Sequence, residues 1–208
     1  MVAFKYSLDP MVMKIQRDLR VNDQGFNIIF TGMPGSGKSL ACASMCYAVD
    51  PSFNIKRCAF NVEEFIDLLN ADLPKGSAIM WDESNIGNDA KNAMTVENKQ
   101  MAFISQSMRS HNNFIALTTP SQDFQDKRTR LMLNAYVEMM PHESMNRLTG
   151  RSMGRYYVLQ QNYRYSRIYF KSPVIQAYSG PVCLPVLKFK LPPKEFIEAY
   201  VERKRQFK

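Results

Sequence analysis

One eight-residue stretch constrains this chain more than any other: Gly32-Met33-Pro34-Gly35-Ser36-Gly37-Lys38-Ser39. It follows a short apolar run, Phe26–Thr31 (FNIIFT), that reads as a buried strand. It runs into Lys38–Val49, which reads as a helix closed by Asp50-Pro51. A strand, a glycine turn and a helix is the arrangement that aims successive backbone N–H groups at one anion. The glycines let the chain turn tightly without side-chain clashes. The helix adds its positive end. The stretch fits the pattern G-x-x-x-x-G-K-[ST]. The candidate nucleotide-binding residues are therefore Gly32, Met33, Pro34, Gly35, Ser36, Gly37, Lys38 and Ser39, with Leu40 at the start of the helix. Lys38 is expected to reach the β- and γ-phosphates of a nucleotide, and the Ser39 hydroxyl to hold Mg²⁺. A chance Gly-rich turn is the competing reading, and the strand–turn–helix context disfavours it.

A second acidic element completes the expected site. Ala78–Trp81 (AIMW) reads as a strand and ends in Asp82-Glu83. Four apolar residues deliver two carboxylates to the carboxyl edge of the sheet, where the phosphate loop also lies. Asp82 is expected to hold Mg²⁺, directly or through water. Glu83 is expected to polarise the water that attacks the γ-phosphate. An apolar run ending in two acids is common at loop starts, so its place some 45 residues after the phosphate loop gives it weight.

A fourth strand, Phe114 to Thr118, runs into Thr118-Thr119-Pro120-Ser121. A polar residue there is placed to sit between the acids and the γ-phosphate. Thr118 and Thr119 are the candidates, set against a plain strand terminus. Arg109, Arg128 and Arg130 are candidates for a charge reaching a neighbouring subunit's γ-phosphate, with Arg109 and Arg130 preferred. Each is otherwise a surface arginine.

The rest of the chain alternates in the same way. A strand is expected at Arg57 to Asn61, a helix at Val62–Asn70, a polar loop at Ser84 to Thr95 and a helix at Val96 to Ser110. A further helix, Asp123 to Leu133, leads to a fifth strand, Ala135 to Met140. Such alternation argues an α/β fold with a parallel sheet covered on both faces. Residues 1–24 read as an N-terminal extension with an amphipathic stretch from Met11 to Leu19. Residues 25–140 read as the core, and 141–208 as a basic hairpin and helical tail packed on it.

The charge divides along that boundary. The chain carries 27 Lys+Arg against 19 Asp+Glu, a net of +8. Residues 141–208 hold 13 of the basic residues and only 4 of the acidic ones, so the remainder is close to neutral. A basic segment suits a polyanion, usually nucleic acid. Aromatics interleave with it: Arg155, Tyr156, Tyr157, then Tyr163, Arg164, Tyr165, Arg167 and Tyr169. Aromatic faces stack on bases while guanidinium groups meet phosphates. The same alternation is also that of a hairpin with one buried face.

No apolar run approaches the roughly 18 residues of a membrane span, and the first residues do not read as a secretory signal. Cys42, Cys46, Cys58 and Cys183 form no C-x-x-C pair and the chain has only two histidines, which disfavours a zinc site. Cys42 and Cys46 read as small buried hydrophobes on a helix. Reduced thiols suit the cytoplasm.

Taken together, the phosphate loop, the Asp-Glu strand, Ser107-Met108-Arg109-Ser110-His111 and Ile115-Ala116-Leu117-Thr118-Thr119 resemble the additional-strand class of P-loop ATPases. Within it the chain resembles the HerA–FtsK group, which includes viral genome-packaging ATPases, conjugation motors and zonula-occludens-toxin-like proteins. An R-x-H-like segment before the fourth strand and a D-x-x-x-R segment, here Asp126 to Arg130, belong to that likeness. So does the end of the chain, Leu191-Pro192-Pro193-Lys194-Glu195-Phe196 through Tyr200 to Lys204. The chain departs from the group in having Thr119-Pro120 where many members place Gln. The resemblance implies a three-layer αβα sandwich with a mainly parallel sheet of order 5-1-4-3-2. It further implies ATP bound between subunits of a homo-oligomer, commonly a hexameric ring, and DNA moved through a basic channel. Ser84 to Thr95 would then be a pore-facing or interface loop.

Three rivals come from other classes. A small-molecule kinase shares the Gly-x-Pro-Gly-x-Gly-Lys-Ser loop but usually lacks an Asp-Glu pair in this setting. A GTPase needs a base-reading Asn-Lys-x-Asp segment, and Asn98-Lys99-Gln100-Met101 ends in Met. A helicase loader or segregation ATPase would bind ATP and DNA without translocating.

Overall fold

The computed structural model describes residues 9–84, 104, 112–121, 131–140, 152–162, 167–171, 174–177, 180–183 and 186–206. Side chains between 158 and 185 lie outside that description.

The apolar runs become strands where expected. β1 (Phe26–Thr31), β3 (Ala78–Trp81), β4 (Phe114–Thr119) and β5 (Ala135–Met139) carry the runs that the sequence bounds with turns. β1 pairs in parallel with both β4 and β5, and β3 pairs in parallel with β4. β2 (Cys58–Ala59) completes that edge beside β3. The resulting order, β5-β1-β4-β3-β2, is the one the resemblance implies.

The sheet then continues past β5 with antiparallel strands. β6 (Ser152–Asn162) pairs with β5, and β10 (Val186–Phe189) pairs with β6. β7 (Arg167–Lys171) forms the expected hairpin with β6. β8 (Val174–Ala177) and β9 (Gly180–Cys183) make a separate two-stranded ribbon. Within the described part of the hairpin the buried-face reading holds at Tyr156, which is 4% exposed. Its neighbour Tyr157 stacks on Tyr136, ring centroids 5.7 Å apart.

Period-two alternation sends each central strand to two cores. On one face Ile28, Phe30, Met80, Phe114 and Ala116 pack under α1 (Asp9–Arg20) and α2 (Lys38–Val49). On the other, Ile29, Ile79, Trp81, Ile115 and Leu117 pack with Phe65 and Leu69 of α3 (Val62–Asn70). This is the three-layer α/β sandwich of a P-loop fold. The amphipathic stretch of the first 24 residues is α1, and it buries Met11, Ile15 and Leu19 in the first core. The Cys42 and Cys46 thiols are fully buried on α2, in line with their reading as small hydrophobes.

The second strand is shorter than Arg57 to Asn61. Arg57 belongs instead to a 3₁₀ turn, Ile55–Arg57, capped by the Asn54 side chain. Asn61 caps α3 by accepting the Glu64 N–H at 2.8 Å. Both ends of the expected strand are thus drawn into turns and caps, and only Cys58 and Ala59 remain for the ladder.

The helices expected at Val96 to Ser110 and Asp123 to Leu133, and the polar loop from Ser84 onward, lie almost wholly outside the described residues. A helix near the end of the chain, α4 (Lys194–Gln206), follows the buried Pro192 and lies over the carboxyl end of β2 and β3. Its positions 196, 200, 203 and 204 share one face. Phe196 packs edge-on to Tyr47 and tilted to Phe53, each 5.6 Å between centroids. Tyr200 packs on Phe60. Arg203 lies over the Phe60 ring and bonds the Ile55 and Cys58 carbonyls and Glu64.

Candidate functional site

The phosphate loop leaves β1 through Gly32 at φ +150° and enters α2 through Gly37 at φ +80°. At Gly32 the backbone passes so close to its surroundings that a Cβ would lie 2.8 Å from Ser36 Oγ and 2.9 Å from Met139 Cβ. At Gly35, also left-handed, a Cβ would meet nothing within 4 Å. The space beside Gly35 is therefore open. Gly37 caps α2 with no side-chain hydrogen bond, and no acidic residue stands in the first turn. The positive end of this helix is left for an outside anion. Ser36 Oγ is buried without a hydrogen-bond partner.

Lys38 turns back along the loop, its Nζ 3.5 Å from the Met33 carbonyl. Burial pushes its ammonium below the usual lysine value, and the nearby Asp82 and Glu83 charges oppose that shift. Met33 at the loop's tip is 76% exposed. Ser39 opens α2 on the side facing Asp82, and Leu40 is half-buried behind it.

The two acids leave β3 in different directions. Asp82 is 1% exposed, whereas the Glu83 side chain is 59% exposed. Glu83 takes a left-handed backbone, φ +52°, unusual for a residue with a Cβ. That turn lifts its carboxylate out of the sheet edge to where water reaches it. The Thr118 hydroxyl, at the end of β4, fixes both: it donates to Asp82 Oδ1 and accepts the Glu83 N–H, each at 2.8 Å. The Thr119 hydroxyl instead turns to the Ser121 carbonyl at 3.1 Å. Arg109, Arg128 and Arg130 lie outside the described residues.

Two further side chains enter the site from α4. The Tyr200 hydroxyl donates to Asp82 Oδ2 at 2.6 Å. Lys204 Nζ bonds Asp82 Oδ2 and Glu83 Oε1, both at 2.9 Å, and the Tyr200 oxygen at 3.0 Å. Burial works against the Asp82 charge, but Tyr200, Lys204 and Ser39 outweigh it and hold the carboxyl below the usual range. Burial and then Asp82 push the Tyr200 phenol up. Burial alone would depress Lys204, and its bonds to the acids raise it instead. Sequence reasoning missed both residues. Both fall in the terminal segment that the resemblance includes, but the sequence carries no sign that either reaches the acids; a Tyr and a Lys four apart on a helix show only that they share a face.

These residues fit a magnesium nucleotide. Ser39 and Asp82 supply the hard oxygen donors that magnesium takes. The open loop at Gly35, the uncapped start of α2 and the unpartnered Ser36 hydroxyl suit phosphate oxygens.

No protein-family model matches the chain, and no curated protein matches it in sequence. Among solved structures it is similar to the N-terminal domain of zonular occludens toxin from Neisseria meningitidis. The identity is 16%, covering 76% of this chain and 100% of that one, with a TM-score of 0.43. It is also similar to the flagellar accessory protein FlaH from Methanocaldococcus jannaschii, at 12% identity over 79% of this chain and 89% of that one, TM-score 0.39. A KaiC-like protein from the hyperthermophilic archaeon Pyrococcus horikoshii is similar at 12% identity over 78% and 91% of the two chains, TM-score 0.36. The fold assignment rests on the chain's own strand order and loop geometry.

Proposed function

We propose that this protein binds and hydrolyses ATP with Mg²⁺, as an oligomeric DNA-translocating or genome-packaging motor. The observation that carries the ATPase reading is the meeting of Lys38, Ser39, Asp82 and Glu83 at one sheet edge beneath an open phosphate loop. Backbone N–H groups of Gly35 to Ser39 bind the phosphates, and Lys38 draws the γ-phosphate toward the loop. Ser39 and Asp82 hold the metal. Magnesium, when bound, offsets charge developing on the β- and γ-phosphate oxygens. Glu83, exposed and aimed by its left-handed backbone, takes the proton of the attacking water. Thr118 keeps Glu83 in that position.

The motor reading is supported by the charge division, with 13 Lys+Arg against 4 Asp+Glu after residue 140. Phosphate contacts from that segment would hold DNA without reading its sequence. Arg109 or Arg130 of one subunit would complete the γ-phosphate site of the next. Among the described residues no helix is long and apolar enough to cross a membrane. A cytoplasmic site for the proposed motor is supported by its cysteines, which suit a reducing compartment.

Calorimetry and phosphate release test this directly. The protein should bind ATP with magnesium and hydrolyse it faster with DNA. Lys38→Ala should weaken nucleotide binding. Glu83→Gln should still bind ATP yet lose turnover by about 100-fold or more, the scale of a lost general base. Normal hydrolysis by Glu83→Gln refutes the base assignment. Absence of any adenine-nucleotide affinity refutes the whole reading.

A further inference from the structure

The geometry points to Lys204 as a tethered cation that holds the Asp82–Glu83 pair and competes with magnesium for it. The inference deepens the magnesium–nucleotide reading above and rests on it.

The first argument is acceptor counting. Asp82 Oδ2 takes the Tyr200 hydroxyl at 2.6 Å and the Lys204 ammonium at 2.9 Å, so both of its lone pairs are used. Oδ1 takes the Thr118 hydroxyl at 2.8 Å. Oδ1 keeps a second acceptor position, and Ser39 also bonds this carboxylate. On Oδ2, the oxygen nearest Glu83 through Lys204, the bond that opens without disturbing the fold is the one to Lys204. Thr118 is fully buried in β4, and Tyr200 is 7% exposed and packed on Phe60.

The second argument is anchoring. α4 is held by Phe196 among Tyr47 and Phe53, and by Arg203 on Glu64 and two backbone carbonyls. Lys204 lies beyond these anchors with its side chain 26% exposed, on a flexible four-carbon stem. It can swing out while the helix stays docked.

The third is charge. Two carboxylates close enough to share one ammonium repel, and one at 1% exposure is costly to leave short of partners. Lys204 bridges them at 2.9 Å on each side. A divalent ion placed at the same oxygens meets that ammonium as a like charge at contact distance.

The test needs no nucleotide and no turnover. Mn²⁺ binding to the full chain is followed by electron paramagnetic resonance for the wild type, Lys204→Met and Lys204→Arg. A like charge removed at this range should tighten Mn²⁺ binding about tenfold or more in Lys204→Met. Lys204→Arg keeps the charge and should stay within a few-fold of the wild type. Equal or weaker Mn²⁺ binding by Lys204→Met, or no binding by it at all, overturns the inference. Lys204→Gln repeats the comparison should Lys204→Met fail to fold. A wild type that binds no nucleotide would refute the ATPase reading, while the Mn²⁺ comparison would still decide the role of Lys204.

Discussion

The hydroxyl of Thr118 stands between the two acids, giving its proton to Asp82 and receiving the Glu83 N–H, both at 2.8 Å. One buried oxygen thereby couples the carboxylate assigned to the metal with the backbone of the residue assigned to water. Thr118→Val keeps the shape and removes both bonds. Leaving two polar groups unsatisfied should cost about 1–3 kcal/mol in a urea titration. Phosphate release should fall more than nucleotide affinity, because the change reorients Glu83 rather than the loop. Thr118→Ser should restore most of both; equal stability of Val and Thr at this position would rule the coupling out.

A second buried ion pair sits at the far end of α2, where Asp50 closes the helix. Arg57 bonds Asp50 at 2.6 Å, and both side chains are about a tenth exposed or less. Asp50 also receives the Ala78 and Ser52 N–H groups and the Ser52 hydroxyl. Burial opposes its charge, but these bonds and Arg57 prevail and hold the carboxyl below its ordinary value. The unfolded chain therefore takes up this proton first as the pH falls. Stability from Asp50 is complete above the unfolded value of about 3.9 and is lost as the pH drops through the lower folded one. Asp50→Ala strands a buried guanidinium and should cost about 3–5 kcal/mol at pH 7. Its stability should also depend less on pH in that acid window than the wild type's. An unchanged acid limb of the denaturation profile would contradict the role assigned to Asp50.

Much of this arrangement is written in local sequence, and what is not has a physical reason. β1, β3 and β4 are short apolar runs bounded by turn residues, so their existence and limits are local properties. The loop from Gly32 to Ser39 is legible because its glycines sit where φ is positive. The second strand is misjudged because Arg57 and Asn61 look neutral to a strand until Asp50 and Glu64 are known to be beside them. The site's third wall is invisible for a similar reason. Tyr200 and Lys204 meet Asp82 across more than a hundred residues of chain. In the sequence Lys204 is one of 13 basic residues after position 140, and nothing local separates it from those facing solvent.

Two glycines of the phosphate loop differ in a way that can be measured. Gly32→Ala forces a Cβ to 2.9 Å from Met139 Cβ, an atom fixed close to the β5 backbone. Gly35→Ala meets no atom within 4 Å and bears only the left-handed backbone penalty, about 1–2 kcal/mol. Gly32→Ala should therefore melt lower than Gly35→Ala by thermal denaturation. The reverse order would show that the approach of β1 to β5 is looser than 2.9 Å implies.

The junction of the basic segment with the core turns on Gly154. It lies on β6 opposite Met139, and a Cβ there would come 2.6 Å from Val137 Cγ1 and 3.3 Å from the Met139 sulfur. Both neighbours are buried, so Gly154→Ala overpacks the seam and should cost about 1–3 kcal/mol. Val137→Ala alone should also destabilise, by leaving a small cavity. Combined, the two changes relieve each other, because the methyl added on β6 fills space vacated on β5. The double variant should be more stable than the sum of the single losses by about 0.5 kcal/mol or more, a coupling expected only for residues in contact. Strict additivity would mean that β6 does not pack on β5 at this register, and the seat of the C-terminal segment on the core would have to be reassigned.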